Sequence, residues 1–358
     1  MNQKKITDME SVIGRVFISC CIFIVLFIGL DIASRPFLSN RSQIEKKFPV
    51  VSSRYPRPYV MFSGKPHADQ LNELGYIGPA PKIPKPNNEY RIICLGGSTI
   101  INGDPPLPEL IQNQFNHAGM EHVRVYNFGV ISSVSGMELV KIATQAVDYQ
   151  PDLIVMYNGG NDLTQPIFSD PRPGYPFNFM VYEYNPLLES DIKDYPGWTL
   201  FLYGSNIMRT LFPKYFAKKF LDVTSLRKNV HYNTPEWKNA IARTYVQNLI
   251  KSHHIARAFG ADFIGFIQPT IFYKDQIAPQ ERGFLNLHLQ DEFKSMRDLT
   301  LNNLRQLNQK HQARIIDLSD YFSHEKEHVY MDFIHIKQVY KPGLADKIYQ
   351  HILPVVQP

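Results

Sequence analysis

Arg91-Ile92-Ile93-Cys94-Leu95-Gly96-Gly97-Ser98-Thr99 is the stretch that decides the fold. Its apolar run does not alternate, it stops on two glycines, and a serine follows at once. Such a run reads as a strand buried on both faces, the kind that parallel sheets require. Working outward, the same reading applies to 123–128, closed by Gly129, and to Pro151-Asp152-Leu153-Ile154-Val155-Met156-Tyr157, closed by Gly159-Gly160. Two more strands are predicted at 262–267 and 314–318. Apolar residues at helical spacing predict helices at about 135–149, 235–259 and 287–311, and a last one from near Pro342. Strands that alternate with helices imply a parallel sheet covered on both faces, an α/β class. In such sheets ligands bind beyond the C-terminal ends of the strands.

Further out, the N-terminal run Val16 to Leu30 carries no charge, and 13–33 is long enough to span a hydrocarbon core. Lys4, Lys5 and Arg15 precede it, which favours a cytoplasmic N-terminus and places the rest of the chain on the extracytoplasmic side. The opposing readings are a cleaved signal peptide, for which Ile32-Ala33-Ser34 is the nearest cleavage pattern, and a buried soluble helix. The division expected is an anchor at 1–35, a Pro/Gly-rich lead-in at 36–89 and a catalytic domain at 90–358. The lead-in either packs over the domain or acts as a stiff spacer. At about 163–234 the rhythm breaks into an irregular aromatic insertion with Phe168, Tyr175, Phe177, Phe179, Tyr182 and Tyr184. Those rings either cover the site as a cap or pack a satellite core.

Composition sets outer limits. A chain of 358 residues, 44% hydrophobic and 13% aromatic, supports one large core and excludes a disordered chain. The net charge of +5 comes without a dense Lys/Arg stripe, which argues against a nucleic-acid partner. Cys20, Cys21 and Cys94 have no metal-type spacing.

Four segments at strand ends carry chemistry. Ser98 on its two glycines can project a hydroxyl over the sheet edge, although a serine there equally caps a helix. Gly129 in Asn127-Phe128-Gly129 lets backbone approach a ligand, or simply turns the chain. Asn161 in Gly159-Gly160-Asn161-Asp162 offers a side-chain amide to an oxyanion, or forms a turn. In Asp332-Phe333-Ile334-His335 the carboxylate can fold back on the imidazole and fix its tautomer. Each segment alone favours the ordinary structural role; their order at successive strand ends favours a site.

In these blocks the chain resembles the SGNH hydrolase superfamily, also called the GDSL esterase/lipase superfamily. Its motifs centre on a Ser, a Gly, an Asn and a His, with an Asp three residues before the His. Here these are Ser98, Gly129, Asn161, His335 and Asp332. Gly-Gly-Ser-Thr in the first block and the preceding Glu89-Tyr90-Arg91-Ile92 are similar to bacterial membrane-anchored members. The resemblance implies a flavodoxin-like three-layer α/β/α sandwich with an N-terminal transmembrane helix and an inserted cap. It implies an acyl-serine intermediate on Ser98, with His335 as base and Asp332 orienting it. The oxyanion hole would be the N–H groups of Ser98 and Gly129 and the Asn161 amide, with no cofactor and no metal. The expected substrates are esters or acylated envelope glycans. An O-acyltransferase acting on a polysaccharide uses the same residues, and a non-catalytic envelope binding or assembly protein is a third reading. Two departures stand out. Members carry a glycine about five residues after the histidine, whereas here the next is Gly343, a longer loop able to shift His335. The insertion is the second.

Overall fold

The computed structural model describes residues 3–38, 55–68, 70–176, 205–211, 223–284 and 287–357. In chain order the elements are α1 (Gln3–Leu38), β1 (Tyr55–Arg57), β2 (Met61–Ser63), β3 (Tyr90–Gly96), α2 (Ser98–Ile101), α3 (Leu107–His117), β4 (Val123–Asn127), α4 (Ser135–Thr144), β5 (Leu153–Asn158), α5 (Gly160–Phe168), α6 (Asn206–Leu211), α7 (Val223–Asn229), α8 (Pro235–Ala258), β6 (Asp262–Ile267), α9 (Leu287–Asn308), β7 (Arg314–Asp317) and α10 (Lys341–Val356). They divide into two units. One contains Phe48–Met180 and Val223–Pro358, the other Met1–Lys47 and Val181–Asp222.

The first unit is built on a five-stranded sheet in the order β4-β3-β5-β6-β7, every pair parallel. This is the flavodoxin-like order. The chain steps one way from β3 to β4 and the other way from β4 to β5. Right-handed crossovers therefore put α3 and α4 on opposite faces. Accordingly α3 packs with α10, while α4 packs with α8 and α8 with α9. Both faces being covered, Ile92, Ile93, Cys94, Leu95, Leu153, Ile154, Val155 and Met156 are all buried. That is why β3 and β5 are apolar without alternation. Register sets Gly96 beside Tyr157, so β3 and β5 end together at the point where chain order reverses. A crevice forms there as a consequence of topology.

The described part of the lead-in from Tyr55 on packs within this unit. Val60 and Phe62 are buried, and Tyr76 stacks on Phe128 at 4.5 Å. Arg91 is fully buried, which its charge permits because its donors are directed to Glu89, Tyr149 O and Lys82 O. Two helices differ from the sequence reading. Helix α3 occupies a stretch where none is expected, and α5 runs through 163, where the insertion is expected to begin. The predicted helix 135–149 is α4 followed by a 3-10 turn at Ala146–Tyr149. Of the insertion's aromatics, Phe177, Phe179, Tyr182 and Tyr184 lie outside the described residues. Phe168 packs 5.7 Å from Phe293 and 5.6 Å from Phe333, and Arg172 covers the Tyr175 ring at 3.4 Å.

The second unit is built on α1. Its span Val12–Ser34 has a mean hydropathy of 2.7 and is long and apolar enough to cross a membrane. Phe17, Phe23, Val25 and Leu26 are exposed on it. Asp31 is buried and accepts hydrogen bonds from Ser205 Oγ and from Ile207 N, the latter in the first turn of α6.

Candidate active site

Strand β3 delivers Ser98 to the crevice. Two glycines precede it for a steric reason: a Cβ on Gly96 would fall 2.4 Å from Tyr157 O, and one on Gly97 would fall 3.0 Å from Asn161 Nδ2. Ser98 is the first residue of α2, so its own N–H has no partner within that helix. It is 6% exposed, as befits a group shielded from bulk water yet reachable. The hydroxyl meets His335 Nε2 at 2.7 Å. His335 Nδ1 meets Asp332 Oδ2 at 2.6 Å. The other carboxylate oxygen accepts the backbone N–H groups of Ile334 at 2.9 Å and His335 at 2.8 Å. Burial opposes the charge on Asp332, but these hydrogen bonds and the His335 ring hold its carboxyl below the usual range. The structure thus joins Ser98, His335 and Asp332, from opposite ends of the sequence, in one chain of hydrogen bonds.

The loop bearing Asp332 and His335 is held from three sides. Tyr330 pairs with Ile336 across it, and Met331 N donates to His335 O at 2.7 Å. Glu281 accepts from Val329 N and Tyr330 N, both at 2.8 Å, while making a buried ion pair with Lys274 at 2.7 Å. Burial pushes the Glu281 carboxyl up, but these donors outweigh it and hold it low. Phe333 sits against Phe168 and Phe272. The long stretch after His335 does not displace it. The additional residues form a 3-10 turn at Gln338–Tyr340 that leads into α10, with Gly343 inside that helix.

The two expected oxyanion donors outside Ser98 are placed differently from each other. Asn161 lies in the first turn of α5, is 9% exposed, and donates one amide hydrogen to Ser133 O at 2.8 Å. That bond uses one of the two amide hydrogens. Gly129 donates its N–H to Asn127 Oδ1 at 2.9 Å, so that donor is committed inside its own turn. Glycine at 129 provides room: a Cβ would fall 2.4 Å from Ile101 Cγ2 and 2.5 Å from Ile100 Cγ2, the underside of the helix that carries Ser98.

Beneath the β5–α5 turn lies a polar cluster that sequence reasoning missed. Asp162 accepts from Ser135 N at 2.9 Å and from Ser135 Oγ, and Asn248 donates to the same hydroxyl at 3.0 Å. Asn158 accepts from Tyr245 OH at 2.8 Å and donates to Glu138. Lys141, fully buried, donates to Phe128 O at 2.9 Å. Burial pushes the Asp162 carboxyl up to about 6, with the Ser135 donors pulling the other way. Burial likewise raises Glu138, helped by the charge of Asp162, and lowers Lys141. The available signal was helical spacing: Glu138 and Lys141 fall on the buried face of α4, where charges are conspicuous.

No family model matches the chain, and no curated protein sequence matches it. Among solved structures, it is similar to a lipase/acylhydrolase from Enterococcus faecalis, at 15% identity and a TM-score of 0.42 over 73% of this chain and 94% of that one. It is similar to an acetylxylan esterase from Geobacillus stearothermophilus, at 11% identity and a TM-score of 0.43 over 74% of this chain and 94% of that one. It is also similar to a GDSL-like lipase from Bacteroides thetaiotaomicron, at 11% identity and a TM-score of 0.41 over 77% of this chain and 92% of that one.

Proposed function

We propose that this chain is a membrane-anchored serine ester hydrolase of the SGNH type. One observation carries the reading: the unbroken line Ser98 Oγ, His335 Nε2, His335 Nδ1, Asp332 Oδ2, at 2.7 and 2.6 Å. A hydroxyl becomes a nucleophile at neutral pH when a base within hydrogen-bond reach takes its proton as it attacks. Ser98 Oγ attacks the ester carbonyl carbon and His335 Nε2 takes the serine proton. Asp332 stabilises the imidazolium and keeps Nδ1 as the donor. The imidazolium then protonates the leaving alcohol oxygen as the ester C–O bond breaks, which leaves acyl-Ser98. Water, deprotonated by His335, attacks the acyl carbon; the carboxylic acid departs and Ser98 regains its proton.

Negative charge on the carbonyl oxygen is met by the Ser98 N–H and the second hydrogen of Asn161 Nδ2. Gly129 joins only if Asn127 releases its N–H. The substrate class is acyl or acetyl esters on envelope glycans or small molecules. It is met on the extracytoplasmic side, because Lys4, Lys5 and Arg15 precede the apolar span. Transfer of the acyl group to a glycan hydroxyl would use the same intermediate, with an alcohol in place of water.

The test is labelling of the full chain with a fluorophosphonate, with the modified residue mapped, alongside turnover of a short-chain aryl acetate. Label on Ser98 and loss of both activities in Ser98→Ala support the proposal. Undiminished turnover in Ser98→Ala would remove Ser98 from the chemistry.

A further inference from the structure

Ser98, Asn161 and His335 come from three separate loops, and Gln268 lies where those loops meet. It follows β6 directly, and its N–H donates to Asn158 O at 2.8 Å, which carries the β5–β6 ladder up to the start of α5. Three residues on, Ile271 N donates to Phe333 O at 3.1 Å, which ties the same segment to the loop of Asp332 and His335. Gln268 is 4% exposed. Its Oε1 accepts from Thr99 Oγ1 at 3.1 Å, and Thr99 is the chain neighbour of Ser98. The carboxamide also lies against Gly160, the neighbour of Asn161. A Cβ on Gly160 would fall 2.5 Å from Gln268 Nε2, 2.8 Å from Gln268 Cδ and 3.2 Å from Ile334 Cγ2. Ile334 is in turn the neighbour of His335. One side chain therefore bonds beside the nucleophile and packs where the neighbours of the oxyanion amide and of the base crowd together.

Helix α2 needs a brace of this kind. It is a single turn, Ser98–Ile101, closed by Asn102 N donating to Ser98 O at 2.9 Å. One turn fixes several backbone dihedrals for one hydrogen bond and does not sustain itself. The direction of Ser98 Oγ toward His335 Nε2 thus depends on what holds that turn from outside. Energetics point the same way. Among the described residues Gln268 Nε2 has no acceptor, and the atom is shut off from solvent. A buried donor without a partner costs stability. Methionine, unbranched and of similar length, would fill the space without that cost. Stability therefore does not account for a carboxamide at this position, whereas the bond to Thr99 does.

We infer that Gln268 is a positioning residue of the ester-hydrolase site, holding the Thr99 turn against the Gly160 turn so that Ser98 Oγ and the Asn161 amide meet the same carbonyl group. This rests on the reading of Ser98 as the nucleophile. Gln268 acts through the neighbours of the reacting groups, and its Nε2 is closed to solvent, so its effect falls on kcat rather than on substrate affinity. A displacement of about 1 Å between reacting groups costs on the order of a hundredfold in rate.

The test uses the full chain in detergent, with Gln268→Met, Thr99→Val, the two combined, and Ser98→Ala. Turnover of a short-chain aryl acetate gives kcat and KM, fluorophosphonate labelling gives the reactivity of Ser98, and urea unfolding gives stability. For Gln268→Met, kcat should fall by roughly tenfold to a hundredfold with KM within about twofold, and the labelling rate should fall by the same factor as kcat. The urea midpoint should hold or rise, because the unpaired donor is gone. Thr99→Val should lower kcat in the same way, and the double variant should be no slower than the slower single one, since both break one contact. A kcat within about twofold of the unaltered chain in Gln268→Met overturns the inference. So does a fall in kcat that comes with a lowered midpoint, which marks a packing defect. Effects that multiply in the double variant overturn the link through Thr99. Should Gln268→Met not fold, Thr99→Val decides alone: a lower kcat at unchanged KM and midpoint supports the inference, and an unchanged kcat overturns it. Undiminished turnover in Ser98→Ala removes the nucleophile reading itself, and this inference with it.

Discussion

Two carboxylates in segments that follow strands of the same sheet are treated in opposite ways. Asp332, in the loop after β7, is partly exposed and accepts from a histidine ring and two backbone N–H groups, and its carboxyl is held below the usual range. Asp162, in the first turn of α5, is enclosed; burial pushes it up to about 6 even though Ser135 donates to it. Both water access and partner differ: Asp332 faces a histidine ring whose charge pulls it down, while the enclosed Asp162 has a neutral hydroxyl and backbone N–H groups. Under the proposed mechanism Asp332 stabilises a transient imidazolium and so has to stay charged. A carboxylate that ties the start of α4 to the Asn161 turn only has to accept hydrogen bonds. Position after a strand therefore does not assign a carboxylate to catalysis; its water access and its partner do.

This contrast can be broken by experiment. The largest effect is expected at Asp332→Asn, which keeps the shape and removes the charge. Its kcat on an aryl acetate should fall by roughly three to four powers of ten, because the imidazole loses its fixed tautomer. A fall of less than tenfold would place Asp332 with Asp162 as a structural group. Next is Asn161→Ala, expected to lower kcat by about two to three powers of ten with little change in KM, as for a donor used only in the transition state. An increase confined to KM would assign Asn161 to ground-state binding.

Third is Asp162→Asn, read as stability against pH by urea unfolding. The folded state binds this proton more tightly than the unfolded chain does. Its stabilisation is thus complete below the ordinary value of 3.8 and is lost as pH rises through about 6. The difference amounts to at most about 3 kcal/mol at roughly 1.4 kcal/mol per pH unit. The variant should flatten that slope, and an unchanged slope would show that Asp162 does not carry it. The smallest effect is expected at Asn127→Ala. Losing the bond to Gly129 N should cost about 1 kcal/mol of stability with kcat within about twofold of the unaltered chain. A clear rise in kcat would show that the freed Gly129 N–H enters the oxyanion hole.

The sheet was readable because its central strands are buried on both faces, which leaves unbroken apolar runs ended by glycines that close backbone approach demands. The site was readable in part. Asp332 and His335 are three residues apart, so their pairing is local and shows in the sequence. Glu281 and Lys274, which brace that loop, lie some fifty residues before it and carry no local signature. Gly129 is a position where two sequence readings stood side by side, a ligand-facing amide and a plain turn. What sequence could not show is that a Cβ there would meet Ile100 and Ile101 and that Asn127 accepts its N–H.

By itself the sequence determined that β3 and β5 lie in a parallel sheet, that Ser98 follows the first of them, and that an apolar span precedes everything. Periodicity and short-range spacing carry that information because they act within a turn or two of chain. Only the tertiary structure decided that Ser98 and His335 meet at 2.7 Å. It alone decided that one strand-end carboxylate stays charged while another is pushed toward neutrality, and that Asp31 reaches α6. Those outcomes depend on which distant groups exclude water and which donors they supply, and no local pattern encodes that.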